Sequence, residues 1–298
     1  MKIVRTFAEA RNLSSGCVGF VPTMGYLHEG HISLVDAARR DCDTVTVSIF
    51  VNPLQFSPSE DLASYPRDLD RDVALLAAAG ADVVFAPPPG EMYPVDPLTR
   101  VAVASVTEGM EGMVRPGHFD GVATVVAKLF AGVAPDLAYF GRKDAQQLVT
   151  VRRLTTDLSF PIRIVGTPIV READGLALSS RNTYLDAEQR IAARSLSAGI
   201  AAVAEAVEKG ERSGDILERI AAASVIAEPG IDLDYATLAD QETAAPLTDL
   251  DRPAFLAVAA RVGRTRLLDN VHIDRDGNGW APDRGIRLSG PSILYGEV

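Results

Sequence analysis

The sequence predicts an α/β fold, in which a parallel sheet covered by helices on both faces is followed by a smaller α+β domain. Two patterns carry this prediction. Short β-branched runs alternate with helical repeats through the first half, and from about residue 185 Ala-rich helices precede a group of strands. We place the boundary near Val170, which divides the chain into domains at residues 1–169 and 170–298.

Strands are predicted where apolar runs are bounded by turn residues, and helices where apolar residues recur every three or four positions. The first domain has predicted strands at residues 18–24, 44–51, 83–86, 137–140 and 163–170, and predicted helices at 32–40, 68–79, 121–132 and 144–157. The second has predicted helices at residues 186–209 and 213–226 and strands at 233–238, 254–261 and 264–273, with Gly263 in a hairpin turn. The Gly- and Pro-rich tail after Asp274 is predicted to be loosely ordered.

Composition excludes several functional classes. The 298 residues carry 29 basic and 40 acidic side chains, a net charge of −11, which argues against a broad nucleic-acid surface. With only Cys17 and Cys42, a disulfide framework or a Cys-based zinc cluster is not expected. The absence of a membrane-length apolar run and of a signal-like start predicts a soluble, cytoplasmic protein.

A pair of histidines follows the predicted strand at residues 18–24. His28 and His31 come where this strand gives way to a helix, with Gly25 and Gly30 beside them. In a doubly wound sheet the carboxyl end of a strand opens onto the ligand crevice, and a helix N-terminus suits phosphate. Glycines there would let a nucleotide approach the backbone closely. The pattern therefore favours a nucleotide-phosphate site.

The histidine pair has two other interpretations, a zinc-peptidase motif and a structural role. A zinc peptidase of the His-Glu-x-x-His type needs its second histidine at position 32, which is Ile32. Histidines that merely cap and pack at an ordinary helix start remain the simpler alternative.

A second polar group follows the next strand on the same edge of the predicted sheet. Asn52 and Gln55 offer neutral donors and acceptors suited to the hydroxyl and carboxylate groups of a small substrate. In isolation, amides that only satisfy backbone groups at a Pro turn would be the better interpretation.

Three further segments join a cation or a hydroxyl to a glycine or a turn. Residues 115–119 (Arg-Pro-Gly-His-Phe) precede a helix, and Gly141, Lys143 and Gln147 mark the passage from a strand to another helix. Residues 178–182 (Leu-Ser-Ser-Arg-Asn) are predicted to form a mobile loop able to clamp a polyphosphate. Each segment alone is a weak signal, and a solvated surface loop is the alternative for the last.

Other nucleotide and metal signatures are missing or incomplete. The chain has no G-x-x-x-x-G-K-[ST] and no G-x-G-x-x-G motif. Residues 274–279 match the opening of a calcium-binding loop, but the twelfth position is Gly285 rather than Glu. We interpret that segment as a turn.

Taken together, these motifs resemble the pantothenate synthetase (pantoate–β-alanine ligase) family of the nucleotidyltransferase superfamily, in order and with its spacing. The matching segments are Pro22-Thr23-Met24-Gly25, His28-Glu29-Gly30-His31, Phe50-Val51-Asn52-Pro53, Tyr65-Pro66-Arg67, residues 115–119, 141–147 and 179–182, and the strand Arg266-Leu267-Leu268-Asp269-Asn270.

The resemblance implies a Rossmann-like nucleotidyltransferase domain with a C-terminal lid, usually in a homodimer. It implies that pantoate is activated by ATP as pantoyl adenylate, with release of pyrophosphate, and that β-alanine then displaces AMP. Mg²⁺ is expected to accompany ATP.

Residue roles also follow from the resemblance. Expected catalytic residues are His28, His31, Lys143, Ser179, Ser180 and Arg181. The ATP site is expected to include Met24, Gly25, Tyr26, Leu27, His28, Glu29, Gly30, His31, His118, Gly141, Arg142, Lys143, Asp144, Val170, Leu178, Ser179, Ser180 and Arg181. Gln55, Gln147 and Asn52 are expected at pantoate, Gln55 also at β-alanine, and Asp72 at the metal.

Four positions depart from the family pattern: Tyr26 and Ser57 replace small residues, Arg142 replaces an acidic residue and Leu178 replaces Met. Tyr26 and Arg142 border the expected nucleotide site and could alter its affinity. An Arg within the acidic stretch 68–72 weakens the metal assignment.

Three alternatives remain at this stage. An adenylyltransferase acting on nicotinate mononucleotide would share the histidine pair but would not need the two glutamines. A tRNA synthetase-like role conflicts with the acidic charge. A catalytically silent ATP-binding protein is suggested only by Tyr26 and Arg142.

Overall fold

The computed structural model describes residues 1–56, 62, 65–95, 97–277 and 279–296. Ser57, one of the four departures, lies outside these residues. The chain divides into two compact units, the first formed by Met1–Gly141 and Gln146–Thr167, the second by Arg142–Ala145 and the described residues from Pro168 to Gly296. No helix among the described residues is long and apolar enough to cross a membrane.

A parallel sheet forms the centre of the first unit, as predicted. It has six strands, in the order β1-β4-β3-β2-β5-β6. The strands are β1 (Lys2–Val4), β2 (Val18–Thr23), β3 (Thr44–Ile49), β4 (Val83–Phe85), β5 (Leu137–Gly141) and β6 (Arg163–Thr167). The helices are α1 (Phe7–Leu13), α2 (Glu29–Asp41), α3 (Leu69–Ala78), α4 (Pro89–Met92), α5 (Met110–Val114), α6 (His118–Val133) and α7 (Ala145–Asp157).

Strand order reverses between β2 and β5, which creates a crevice. Along its whole length β2 pairs with β3, but it pairs with β5 only at Gly19–Leu137 and Phe20–Ala138. The two strands therefore part towards their carboxyl ends. Such a switch point is where open α/β sheets bind ligands.

The amino-terminal elements β1 and α1 were not predicted. A three-residue edge strand is too short to carry a period, although Thr6 and Glu9 form a capping box at the start of α1. The strand predicted at residues 163–170 ends at Thr167, because Pro168 lacks an N–H and cannot continue the ladder.

The second unit packs two long helices against a four-stranded antiparallel sheet in the order β11-β10-β9-β8. Buried Leu196, Val203, Leu217, Val258 and Val271 belong to its core. The elements are β7 (Val170–Arg171), α8 (Ala187–Glu208), α9 (Gly214–Ile226), β8 (Ile231–Asp240), β9 (Ala254–Val262), β10 (Thr265–Asp276), β11 (Gly279–Asp283) and β12 (Ile286–Arg287), the last pairing with β7.

The prediction of a loosely ordered tail was wrong. Strand β10 continues to Asp276, β11 pairs with it, and the Arg275 guanidinium lies 3.9 Å from the centre of the Trp280 ring. Strands β10 and β11 thus form a β-hairpin, which agrees with the turn interpretation. Gly279 and Pro282 have low strand propensity, so the sequence pattern did not indicate β11 although its partner β10 precedes it directly in the chain.

Candidate active site

The histidine pair lies where β2 ends and α2 begins. His28 is the N-cap of α2, and its Nδ1 accepts a hydrogen bond from the Gly30 N–H at 3.2 Å. The His31 Nδ1 accepts from the His28 N–H at 3.3 Å, and the ring centres are 4.1 Å apart. A side chain at Gly30 would meet the His28 ring at 2.9 Å, so glycine is required there.

These hydrogen bonds determine the tautomer of both neutral imidazole rings. Because each Nδ1 accepts from a backbone N–H, the neutral rings of His28 and His31 carry their proton on Nε2. The N–H groups of Gly30 and His31 are satisfied by His28 itself. Those two backbone N–H groups are therefore already used within the helix start.

A buried carboxylate holds the turn before the histidines. Asp72, which is 1% exposed, accepts from the N–H groups of Tyr26 at 2.8 Å and Leu27 at 2.7 Å. Burial raises the pKa of Asp72 despite these donors and the nearby Arg71. A side chain at Gly25, where φ is +83°, would meet the Asp72 carboxylate at 2.9 Å. Asp72 thus shapes the turn from a distant helix.

Arg71 gives the unusual Tyr26 a partner. Its guanidinium lies 5.3 Å from the centre of the Tyr26 ring and donates to the Leu27 carbonyl at 2.8 Å. Tyr26 has φ of +53°, a left-handed conformation that side chains other than glycine rarely adopt. This departure from the family pattern is accommodated by a cation–π contact.

Asn52 and Gln55 follow β3 as predicted, but they have different roles. Asn52 is 1% exposed, donates to Gln55 Oε1 at 3.1 Å and to the Gly121 carbonyl at 3.0 Å, and accepts from Tyr93 Oη at 2.8 Å. Gln55 donates to Met24 Sδ at 3.1 Å and remains half-buried. Asn52 is therefore a support for Gln55.

His118 also serves Gln55. Its Nδ1 donates to the Gln55 carbonyl at 2.8 Å, and its Nε2 lies 3.1 Å from Arg115 Nη1, which donates to it. It begins α6 after Gly117, whose φ is +80°. The resemblance had assigned this histidine to ATP, whereas its contacts join it to the segment expected at pantoate.

Two adjacent glutamines on α7 differ in burial and in hydrogen bonding. Gln146 is buried and donates to the carbonyls of Val106 and Gly109, both at 2.9 Å, while its Oε1 accepts from the Glu111 N–H. Gln147 is half-buried and makes no side-chain hydrogen bond with the described residues. Gln146 therefore holds the segment that contains Val106 and Gly109. The sequence alone did not indicate this contact.

In the second unit, the backbone before α7 is held by β10. The Asn270 amide donates to the carbonyls of Arg142 at 3.0 Å and Lys143 at 2.6 Å, and His272 Nε2 donates to the Arg142 carbonyl at 3.2 Å. Burial, together with Arg142, lowers the pKa of His272 to about 4. The ring is thus neutral at physiological pH.

The departure at Arg142 also has a structural explanation. Its guanidinium pairs with Asp274 at 2.9 Å and Asp283 at 3.2 Å. Although burial opposes it, Arg142 holds the pKa of Asp274 below its usual range. The substitution of an acidic family residue by Arg is matched by two carboxylates.

Ser180–Tyr184 form a turn of 3-10 helix capped by Ser179, whereas residues 178–182 were predicted to form a loop. Ser179 caps this turn by accepting from the Arg181 N–H at 3.3 Å, and the Asn182 amide donates to Glu172 at 2.7 Å. The Ser180 hydroxyl and the Arg181 guanidinium make no hydrogen bond or ion pair with the described residues. Ser180 and Arg181 retain unused donors.

The other residues expected at the ATP site lie in both units. Val170 and Leu178 are buried, and the Leu178 N–H donates to the Val170 carbonyl at 2.9 Å. Leu178 can replace Met there because the position is simply apolar and enclosed. Lys143 Nζ lies 3.5 Å from the Asp144 carboxylate, Glu29 is the first residue of α2, and Gly141 ends β5.

The described residues do not provide a metal centre. They contain no group of three or more His, Cys, Asp or Glu side chains able to hold an ion. Both carboxylate oxygens of Asp72 are engaged by backbone N–H groups. The assignment of Asp72 as a metal ligand therefore does not fit its contacts.

The comparisons with known proteins agree on one family. The family model described as pantoate-beta-alanine ligase matches residues 1–272. The chain belongs to this family. It is 53% identical to the pantothenate synthetase of Heliobacterium modesticaldum over 86% of this chain and 92% of the relative.

Solved structures give the same result. The crystal structure of pantothenate synthetase from Thermus thermophilus is 51% identical, with a TM-score of 0.87, over 91% of this chain and 98% of that one. The pantoate-beta-alanine ligase from Francisella tularensis, complexed with beta-gamma ATP and beta-alanine, is 32% identical, with a TM-score of 0.73, over 91% and 97%. The predicted family and fold class are confirmed, and the chain is a ligase.

Proposed function

We propose that this ligase uses ATP to condense (R)-pantoate with β-alanine, through a pantoyl-adenylate intermediate, releasing pyrophosphate and AMP. The observation that carries the proposal is the His28–His31 pair, oriented by its own backbone at the switch point of the sheet. Family membership supplies the substrates, and the pair supplies a means of stabilising phosphate charge.

In the first step a pantoate carboxylate oxygen attacks the α-phosphorus of ATP. An O–P bond forms, the bond to the β-phosphate oxygen breaks, and negative charge moves onto pyrophosphate. The Nε2–H groups of His28 and His31 donate to these oxygens. Since the rings are held before the substrate binds, they need little reorganisation as charge develops.

Pantoate recognition is assigned to Gln55 and Gln147. Gln55 is held by Asn52 through its side chain and by His118 through its carbonyl. This places a neutral amide at a fixed position, suited to a hydroxyl or carboxylate group. Gln147 adds a second amide with no competing side-chain hydrogen bond among the described residues.

In the second step the β-alanine amine attacks the activated carbonyl. A C–N bond forms, the C–O bond to AMP breaks, and the amine loses one proton. Gln55 is proposed to orient β-alanine as well as pantoate.

The second unit is proposed to supply phosphate ligands and to act as the lid. Lys143, Ser180 and Arg181 carry donors suited to a polyphosphate, and Ser179 shapes the turn that presents two of them. Arg142, in contrast, would contribute through its backbone, because its guanidinium is paired with Asp274 and Asp283.

Three further features are proposed from the family resemblance: Mg²⁺ bound with ATP, a homodimer and a cytoplasmic location. Because Asp72 is engaged with the backbone, Mg²⁺ is assigned to the nucleotide phosphates rather than to this carboxylate.

Product analysis with single omissions tests the proposed function. With ATP, pantoate and β-alanine, mass spectrometry is expected to detect pantothenate and AMP in equal amounts. Replacing pantoate by nicotinate mononucleotide should give no adenylated product. A dinucleotide product, or no pantothenate despite ATP binding, would reject the proposed substrates.

A further inference from the structure

The two cysteines lie side by side in the first unit, although they are 25 positions apart in sequence. The Cys17 thiol donates to Cys42 Sγ, with the sulfurs 3.3 Å apart. Both are free thiols, Cys17 half-buried and Cys42 buried. Their spacing does not form a Cys-x-x-Cys motif, so the sequence alone gives no sign that they meet.

The backbone fixes this juxtaposition independently of the side chains. The Cys17 carbonyl accepts from the N–H groups of Asp43 at 2.9 Å and Thr44 at 3.0 Å. The Cys17 N–H donates to the Asp43 carboxylate at 2.8 Å. Cys17 is therefore held on both sides against the residues that directly follow Cys42, which keeps the two thiols within reach of each other.

Geometry and exposure give the two sulfurs different roles. Cys17 is the more exposed of the two residues and is expected to meet a dissolved reagent first, while Cys42 is buried with its sulfur 3.6 Å from Tyr139 Oη. The hydrogen bond to Cys42, burial, and the Asp43 and Asp136 carboxylates raise the pKa of Cys17 to about 11. Because the thiolate is the nucleophile, reaction is slow at neutral pH and faster in mild alkali.

We propose that Cys17 and Cys42 form a reversible oxidation site that closes to an intramolecular disulfide on exposure to a small-molecule disulfide. The Cys17 thiolate attacks one sulfur of the reagent, breaking its S–S bond and releasing one thiol. The Cys42 sulfur then attacks the mixed disulfide and releases the second thiol. The two protein protons pass to the two released thiolates, so the protein is oxidised and the reagent reduced.

The bond would join the residue before β2 to the residue after α2. These are the far ends of the segment whose middle carries His28 and His31. Closing such a loop restricts the unfolded chain, so oxidation is expected to raise the melting temperature by about 5–10 °C. Since the thiols lie at the amino end of β2, away from the histidines, ligase activity should be unchanged.

The test incubates the folded chain with oxidised glutathione in mild alkali. Non-reducing peptide mapping is expected to find a Cys17–Cys42 cross-link, with both thiols lost to a thiol reagent in denaturant and regained with dithiothreitol. Glutathione stably attached to Cys17, or two thiols that persist, would overturn the proposal.

Two variants make the result specific. Cys42→Ala should accumulate the mixed disulfide at Cys17, whereas Cys17→Ser should leave Cys42 unmodified because it is buried. If both single variants cross-linked between molecules as readily as the unsubstituted chain cross-links within itself, proximity would not be the cause. This test does not depend on the ligase reaction.

Discussion

The His31 Nδ1 accepts a hydrogen bond from the His28 N–H at 3.3 Å, so the backbone of one proposed catalytic histidine orients the ring of the other. The arrangement uses a property of the histidine side chain. An imidazole can accept at Nδ1 and donate at Nε2 at the same time. A capping Ser or Asp could do only the first.

Substitution of His31 should separate these two functions. His31→Asn retains a polar atom near Nδ1 and loses the Nε2 donor, and should lower the adenylation rate by roughly 10²- to 10³-fold. His31→Gln extends an amide towards the Nε2 position and should retain more activity. Single-turnover measurements of pyrophosphate release compare them, and equal activity in all three proteins would remove the donor from the mechanism.

Gln55→Ala should raise KM for pantoate much more than KM for ATP, because the half-buried Gln55 amide is proposed to bind pantoate. Its stability should change by less than about 1 kcal/mol. Asn52→Ala is the contrasting variant, since it removes the acceptor of the Tyr93 hydroxyl and a donor to the Gly121 carbonyl and should destabilise the fold by about 1–3 kcal/mol. Equal KM changes for ATP and pantoate in Gln55→Ala would contradict the assignment.

Asp72→Asn distinguishes a support for the turn from a metal ligand. The amide can no longer accept from both Tyr26 and Leu27, so stability should fall by about 1–3 kcal/mol and ATP turnover should fall with it. Asp70→Asn, an exposed carboxylate on the same helix, should behave like the unsubstituted chain. Recovery of Asp72→Asn at high Mg²⁺ concentration would restore the metal interpretation.

Asn270→Ala should weaken ATP use through Lys143, because Asn270 holds the Lys143 carbonyl. KM for ATP is expected to rise while KM for β-alanine stays constant. A double-mutant cycle with Lys143→Ala should be strongly non-additive, since the second change removes what the first misplaces. Additive effects would make Asn270 merely structural.

His272 should make the second unit acid-sensitive. Burial and Arg142 keep its pKa at about 4 in the folded chain, against 6.5 for an ordinary histidine. Between these values the unfolded chain binds a proton that the folded chain does not, so stability is complete above pH 6.5 and falls as the pH drops towards 4. The loss should reach about 3 kcal/mol.

Denaturant unfolding across this pH range measures the effect. His272→Gln, which keeps a donor for the Arg142 carbonyl but does not titrate, should show a flatter profile. Parallel profiles for the two proteins would mean that His272 does not cause the acid sensitivity.

Sequence reasoning succeeded where chemistry and spacing are local. The parallel sheet, and the positions of the histidine pair and of Asn52 and Gln55 after neighbouring strands, follow from period and turn signals that span a few residues. The different roles of Asn52 and Gln55 did not follow, because they depend on Gly121 and Tyr93, which are remote in the chain.

Long-range partners account for most of the rest. Asp72 lies 46 positions from Tyr26, and Arg142 lies 132 positions from Asp274, so neither pairing leaves a local signal. The β11 segment Gly279–Asp283 is a different case, since it pairs with the adjacent β10 in a hairpin but carries Gly and Pro, which are depleted in strands. The proximity of Cys17 to Cys42 likewise needs the fold to reveal it.

The most direct test of the proposed mechanism is exchange of labelled pyrophosphate into ATP without β-alanine. If pantoyl adenylate forms at the histidine pair, exchange should occur with pantoate, be absent without it, and fall sharply in His31→Asn. Exchange that is independent of pantoate, or none in a chain that binds both ATP and pantoate, would contradict activation of pantoate as an adenylate.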